Sequence, residues 1–154
     1  MPRWSLVVVA LVVGSAWVAG EQPPLEAEKT VTFRTDTPIV LDVRVGPVTV
    51  SGVKVTVFDP GGIGASLKAK VSHFDPQTQT ALHVAFDAEN GTADACKVTY
   101  SVEFLDAKDA VVDRFTDKAS YKNGAKTSTF DHVTLKALVP LIDKMRIKFQ
   151  ASLH

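Results

Sequence analysis

Cys96-Lys-Val-Thr-Tyr-Ser-Val-Glu-Phe-Leu105 alternates without a break. Val98, Tyr100, Val102 and Phe104 share one parity, and Lys97, Thr99, Ser101 and Glu103 share the other. A period of two places the apolar set on one face of an extended strand and the polar set on the opposite face. A helix would scatter both sets around its axis. One wet face and one dry face is the pattern of antiparallel sheets packed on a single core.

The same period recurs on both sides of this stretch. Upstream, Leu82, Val84 and Phe86 alternate with His83 and Asp87, and Ile39, Leu41, Val43 and Val45 alternate with Asp42 and Arg44. Val48 and Val50 continue after Gly46-Pro47. At Ser51-Gly52 the parity slips by one residue before Val53, Val55 and Val57, which indicates a β-bulge or a tight hairpin turn. Leu67, Ala69 and Val71 form a further strand pattern. Downstream, Ala110 to Phe115, Thr127 to Val133, and Ile147, Phe149, Ala151 and Leu153 complete the set. Tyr121-Lys-Asn-Gly-Ala125 reads as a hairpin, because Asn-Gly tolerates positive φ. Leu135 to Val139 reads as one helical turn stopped by Pro140. About eight or nine short strands separated by turn signals predict an all-β, antiparallel, immunoglobulin-like β-sandwich, with a closed barrel as the alternative.

Leu82-His-Val-Ala-Phe-Asp-Ala-Glu-Asn-Gly91, followed by Val98 to Asp109 and Ala110-Val-Val112, resembles secreted sandwich domains of the FxLYD type found in bacterial envelope proteins. Phe104-Leu105-Asp106 is similar to the landmark of that family, without its tyrosine before the aspartate. The resemblance implies a sandwich fold and an envelope setting, and it brings no catalytic residues.

The first residues set the expected location. Met1-Pro-Arg3 is a short basic start, Trp4 to Val13 is apolar apart from Ser5, and Gly14 to Gly20 supplies small residues before Glu21-Gln-Pro-Pro24. This is the order of a secretory signal peptide over 1–20, cleaved after Gly20. It implies a periplasmic or secreted protein with no membrane insertion after cleavage. The alternative is an N-terminal membrane anchor, since Trp4 to Gly20 lies at the short limit of a bilayer span. A lead-in without regular structure is expected over 21–28 and the β-sandwich domain over 29–154.

Without the signal, 16 basic side chains face 17 acidic ones, with no long charge run. A chain so balanced lacks the footprint of a nucleic-acid binder. Cys96 is the one cysteine, so no disulfide forms within the chain. It reads as a buried small apolar residue, with an intermolecular disulfide or a redox-sensitive thiol as the alternative.

No residue pattern carries catalysis. No serine sits in a Gly-x-Ser-x-Gly elbow. His73, His83, His132 and His154 are too scattered for a metal set, although His73-Phe-Asp75 is a conceivable half-site. Asp131 and His132 point to opposite faces of their strand. The carboxylates Asp106, Asp109, Asp113 and Asp117 read as solvated. An enzyme would need His73 or His132 to meet acidic partners through the fold.

Loops at the ends of a sandwich often carry binding. Two are candidates, Asp59-Pro-Gly61-Gly62-Ile63-Gly64 and Asn90-Gly91-Thr-Ala-Asp94. Phe58 stands off the apolar parity of its strand and, with Tyr100 and Tyr121, is a candidate stacking platform. Asn90-Gly-Thr92 also fits a glycosylation acceptor. The expectation is a non-catalytic exported domain without cofactor or metal, acting as a protein-interaction or scaffold module for a protein partner. The alternative is small-ligand or carbohydrate binding on the sandwich surface.

Overall fold

Residue 58 ends one described stretch and residue 74 begins the next: the computed structural model describes residues 23–58 and 74–153. The signal segment 1–20, His73, His154, the loop Asp59 to Gly64 and the strand expected over Leu67 to Val71 lie outside them.

Among the described residues eight strands follow in chain order: β1 (Glu26–Thr32), β2 (Ile39–Val45), β3 (Val48–Phe58), β4 (Gln79–Asn90), β5 (Cys96–Leu105), β6 (Val111–Tyr121), β7 (Gly124–Leu135) and β8 (Lys144–Leu153). They form two four-stranded sheets, in the orders β1-β8-β5-β6 and β2-β3-β4-β7. Every ladder is antiparallel. The result is an all-β sandwich. Immunoglobulin domains place their first two strands side by side in one sheet. Here β1 and β2 lie in opposite sheets. Among the described residues both sheets end in edge strands, which is the arrangement of a sandwich and not of a closed barrel.

The alternation of β5 is realised in full. Cys96, Val98, Tyr100, Val102 and Phe104 are completely buried, and the residues between them are half-buried on the outer face. Opposite them lie Leu82, Val84 and Phe86 of β4 and Val53 and Val55 of β3. Burying each such side chain contributes roughly 1.5–3 kcal/mol. Tyr100 stacks on Phe86 of the other sheet at 4.3 Å between ring centroids and meets Phe149 edge-on at 5.7 Å. Its hydroxyl pairs with that of Tyr121 at 2.5 Å. Burial pushes both phenols above their usual range.

The parity slip at Ser51-Gly52 is a β-bulge inside one continuous strand. Val50 pairs with Ala88 and Gly52 with Asp87, which leaves Ser51 as the extra residue. The Ser51 hydroxyl donates to the Asp87 carbonyl at 3.1 Å. A Cβ on Gly52 would stand 3.0 Å from the Ile39 carbonyl oxygen, so the glycine permits the close approach of β2. A second irregularity falls between Val40 and Val43, where Asp42 takes a φ of 52°.

Three expectations need correction. β1 begins at Glu26, so the last part of the lead-in expected over 21–28 is strand, paired with β8 from Glu26↔Gln150 onward. The Asn123-Gly124 turn is no hairpin: β6 and β7 belong to different sheets, and Gly124, at φ 108°, turns the chain from one to the other. The helical turn expected before Pro140 is a 3-10 turn over Val139–Leu141 with Pro140 inside it. Proline lacks an N–H that the first turn leaves unpaired in any case.

The tyrosine pair yields a testable consequence. Removing the Tyr121 hydroxyl takes the hydroxyl partner from Tyr100 in the core, whereas Tyr121 also has Ser128 as a side-chain hydrogen-bond partner. Tyr100→Phe and Tyr121→Phe each lower the unfolding free energy by about 1–3 kcal/mol, and the double variant loses less than the two singles together. Urea unfolding of the four proteins measures this. Additive losses would show that the hydroxyls do not act as a pair.

Candidate functional site

One end of the sandwich gathers the candidate loop, the β2–β3 turn, the β6–β7 corner and both ends of the described domain. Strands β2, β4, β6 and β8 finish there, and β1, β3, β5 and β7 start there. The Gly46 N–H donates to the Pro24 carbonyl at 2.8 Å, and the Ala151 N–H donates to the Leu25 carbonyl at 2.7 Å.

Asn90 organises this end and is completely buried. Its side-chain amide donates to the Asp94 carbonyl at 2.8 Å and the Tyr121 carbonyl at 3.0 Å. Its Oδ1 accepts the Thr92 N–H and the Thr92 hydroxyl, both at 2.9 Å. The Asn123 amide donates to the Thr92 carbonyl at 3.0 Å. Asn90 is thus corrected from a contact residue to an internal brace. Gly91 to Ala95 are exposed and form the accessible part of the loop.

Beside this loop runs a shallow groove of about 300 Å³. Pro23, Leu25, Pro47 and Leu153 line it together with Arg44, Thr92 and Asp94. Leu25 is 46 % and Leu153 53 % exposed. Sequence patterning did not mark this groove, because its apolar residues come from the chain ends and a turn.

The candidate platforms fare differently. Tyr100 and Tyr121 are fully buried and offer no stacking surface. Phe58 closes β3, opposite Ala81. Asp59, Gly61, Gly62 and Ile63 lie outside the described residues.

Two histidines meet carboxylates. His83 and Asp131 are cross-strand partners of β4 and β7, with Nδ1 and Oδ1 2.6 Å apart on the outer face. His132 points the other way and bridges the sheets, its Nε2 2.8 Å from Oδ2 of Asp113 on β6. The Thr134 hydroxyl donates to the same oxygen, and the Arg114 N–H donates to Oδ1 at 2.8 Å. The His132 ring stacks with Phe115 at 5.1 Å and Phe104 at 6.1 Å. Asp113 is therefore no solvated carboxylate. It pairs with the inward-facing Phe104 and so shares the inward parity of Phe115 and Tyr121 on β6. Burial raises its pKa, but the hydrogen bonds from Thr134, His132 and Arg114 outweigh burial and hold it below the usual carboxylate range.

The His132 condition set for an enzyme is met in part. Two of the three donors to Asp113 nevertheless share one oxygen and the His132 ring packs on Phe115 and Phe104, an arrangement suited to fastening β6 to β7. Among the described residues no three His, Cys, Asp or Glu side chains group to hold a metal ion. Cys96 is fully buried, and burial pushes its thiol up.

Because the Asp113 pKa is lower in the folded chain, its contribution is full above the unfolded value of about 4 and disappears as pH falls through the folded value. Asp113→Ala costs about 1–3 kcal/mol at neutral pH. In urea titrations its deficit against the parent protein shrinks below about pH 4. A deficit constant down to pH 2 would refute this assignment. Cys96 is expected to resist a disulfide reagent in the native state and to react stoichiometrically in denaturant. Rapid native labelling would restore the redox reading.

Neither the protein families nor the curated proteins compared with this chain match it. Among solved structures, the enzymatically active domain of tailspike protein 4 of bacteriophage CBA120 is 12 % identical, with a TM-score of 0.18. The alignment covers 83 % of this chain and 17 % of that one, and a likeness at that score carries no argument about fold or activity.

Proposed function

We propose that this protein is an exported, non-catalytic interaction module that meets a protein partner at the Asn90 end of its sandwich. The groove between Leu25 and Leu153 carries the reading. Two leucines about half exposed, side by side on a braced surface, are what a contact surface needs: apolar area to bury and little conformational freedom to lose. Arg44 and Asp94 in the groove's lining supply charges that orient a partner without being buried. Export rests on the signal-like order of residues 1–20, and the FxLYD resemblance fits the same setting.

A small-ligand reading draws on one observation. A groove of about 300 Å³ reaches the lower size limit of small-molecule sites. It lacks an aromatic wall among its described lining residues, which weighs against sugars.

The test is in-cell crosslinking of the full chain followed by mass spectrometry. Crosslinks to one recurrent protein are expected to map to Gly91 to Ala95 and the groove. Leu25→Ser with Leu153→Ser is expected to reduce recovery at least fivefold with an unchanged melting temperature. Unchanged recovery, or crosslinks confined to the sheet faces, would reject the site. Binding of a sugar or lipid in a thermal-shift screen, with no protein recovered, would favour the small-ligand reading.

A further inference from the structure

The four edge strands are not equally protected. An exposed edge offers unpaired N–H and C=O groups to any passing strand, and proteins blunt such edges with short length, charge, bulges or inward-pointing charged residues. β1 is seven residues long and carries Glu26, Glu28 and Lys29. β2 is equally short, is bulged at Leu41-Asp42, and has its Leu41 carbonyl taken by the Lys29 ammonium. β6 has a register shift next to Leu105 and places Asp113 and Asp117 on its core-side face.

β7 has none of these devices over most of its length. It is twelve residues long, and its ladder with β4 runs from Gln79↔Leu135 to Glu89↔Ala125 without a shift. Between Ala125 and Leu135 it contains no proline or glycine, and its fixed charges are Lys126 and Asp131. Thr127, Thr129, Phe130, Val133 and Thr134 are strong strand formers. Its far edge pairs with no described strand.

We infer that this edge pairs with the same edge of a second copy, antiparallel about a two-fold axis, so that two sandwiches share one continuous sheet. Self-complementarity selects a second copy as occupant. With Phe130 on the axis, Thr129 of each strand lies opposite Asp131 of the other, a hydroxyl facing a carboxylate twice over. Lys126 falls opposite Thr134, Ser128 opposite His132 and Ala125 opposite Leu135, so no like charges meet. Shifting the register by two would set Asp131 against Asp131. The two-fold also brings the β6 edges toward each other, and there β6 carries both signs, Arg114 and Lys118 with Asp117. A ladder of this length supplies about ten backbone hydrogen bonds, the number carried by an ordinary protein interface.

Sedimentation equilibrium of the full chain over a wide concentration range tests this, with Thr129→Asp and Thr129→Lys as variants. Thr129 is exposed, so neither change is expected to move the melting temperature by more than a few degrees. The expected result is a concentration-dependent dimer, weakened at least tenfold by Thr129→Asp and not by Thr129→Lys, because only aspartate repels Asp131 of the other copy. A monomer up to ~1 mM overturns the inference, since an interface weaker than that is no dimer in practice. It would leave the edge to an extended segment of another protein. A dimer that responds to both variants alike, or to neither, overturns the β7 pairing. None of these outcomes bears on the Leu25–Leu153 groove.

Discussion

The Tyr100 hydroxyl is the constraint from which the rest of the structure can be followed. Alternation along β5 drives Tyr100 inward, onto Phe86 of the opposite sheet, where its ring area contributes to the core. The hydroxyl travels with the ring and needs a partner where water is excluded. Tyr121 supplies it from the end of β6. That places the last residue of β6 at a fixed point, and its backbone carbonyl then receives the Asn90 amide. Asn90 in turn sets the path of Gly91 to Asp94 along the groove. A core hydroxyl, a strand end and a surface loop are thus links in one hydrogen-bonded chain.

The side of the sandwich away from β1 and β2 is fastened by a different device. β6 and β7 share no ladder, and the passage between them is the short corner at Lys122-Asn123. His132 and Asp113 join the sheets near the opposite end of these strands, so the two edges are held at both extremities. A carboxylate placed inward costs less when three donors meet it, and here the donors come from both sheets. The arrangement also keeps β6 from becoming a free template for another strand, a protection that β7 lacks.

Much of this was legible in the residues, for a physical reason. β4, β5 and β8 are inner strands or neighbours of inner strands with one dry face, so burial is imprinted as strict alternation. The slip at Ser51-Gly52 was legible because a bulge must break parity. Asp113 was misread because a carboxylate in an edge strand looks solvated, although it shares the inward parity of Phe115 and Tyr121. Glu26 to Glu28 escaped notice because a charged edge strand has almost no apolar face to display. Asn123-Gly124 carries the turn chemistry of a hairpin, but local chemistry specifies a change of direction and is silent on which sheet receives the chain. The groove was invisible because its leucines lie 128 positions apart in the chain, at Leu25 and Leu153.

Asn90 shows how far a local motif can mislead when the fold is left out. Asn90-Gly-Thr92 satisfies the glycosylation pattern, and an Asn-Gly pair normally marks an exposed turn. In the folded chain the Asn90 amide donates to two carbonyls and its oxygen accepts twice from Thr92, with no surface left to an enzyme or a partner. A sugar at this nitrogen would have to be attached before folding and would cost at least one of the two hydrogen bonds that this amide donates. The same four hydrogen bonds support the proposed contact surface. They hold its exposed backbone in one conformation, so a partner that docks there has little ordering left to impose. Asn90 acts by being inaccessible, and its neighbours Gly91 to Ala95 are the exposed part of the loop.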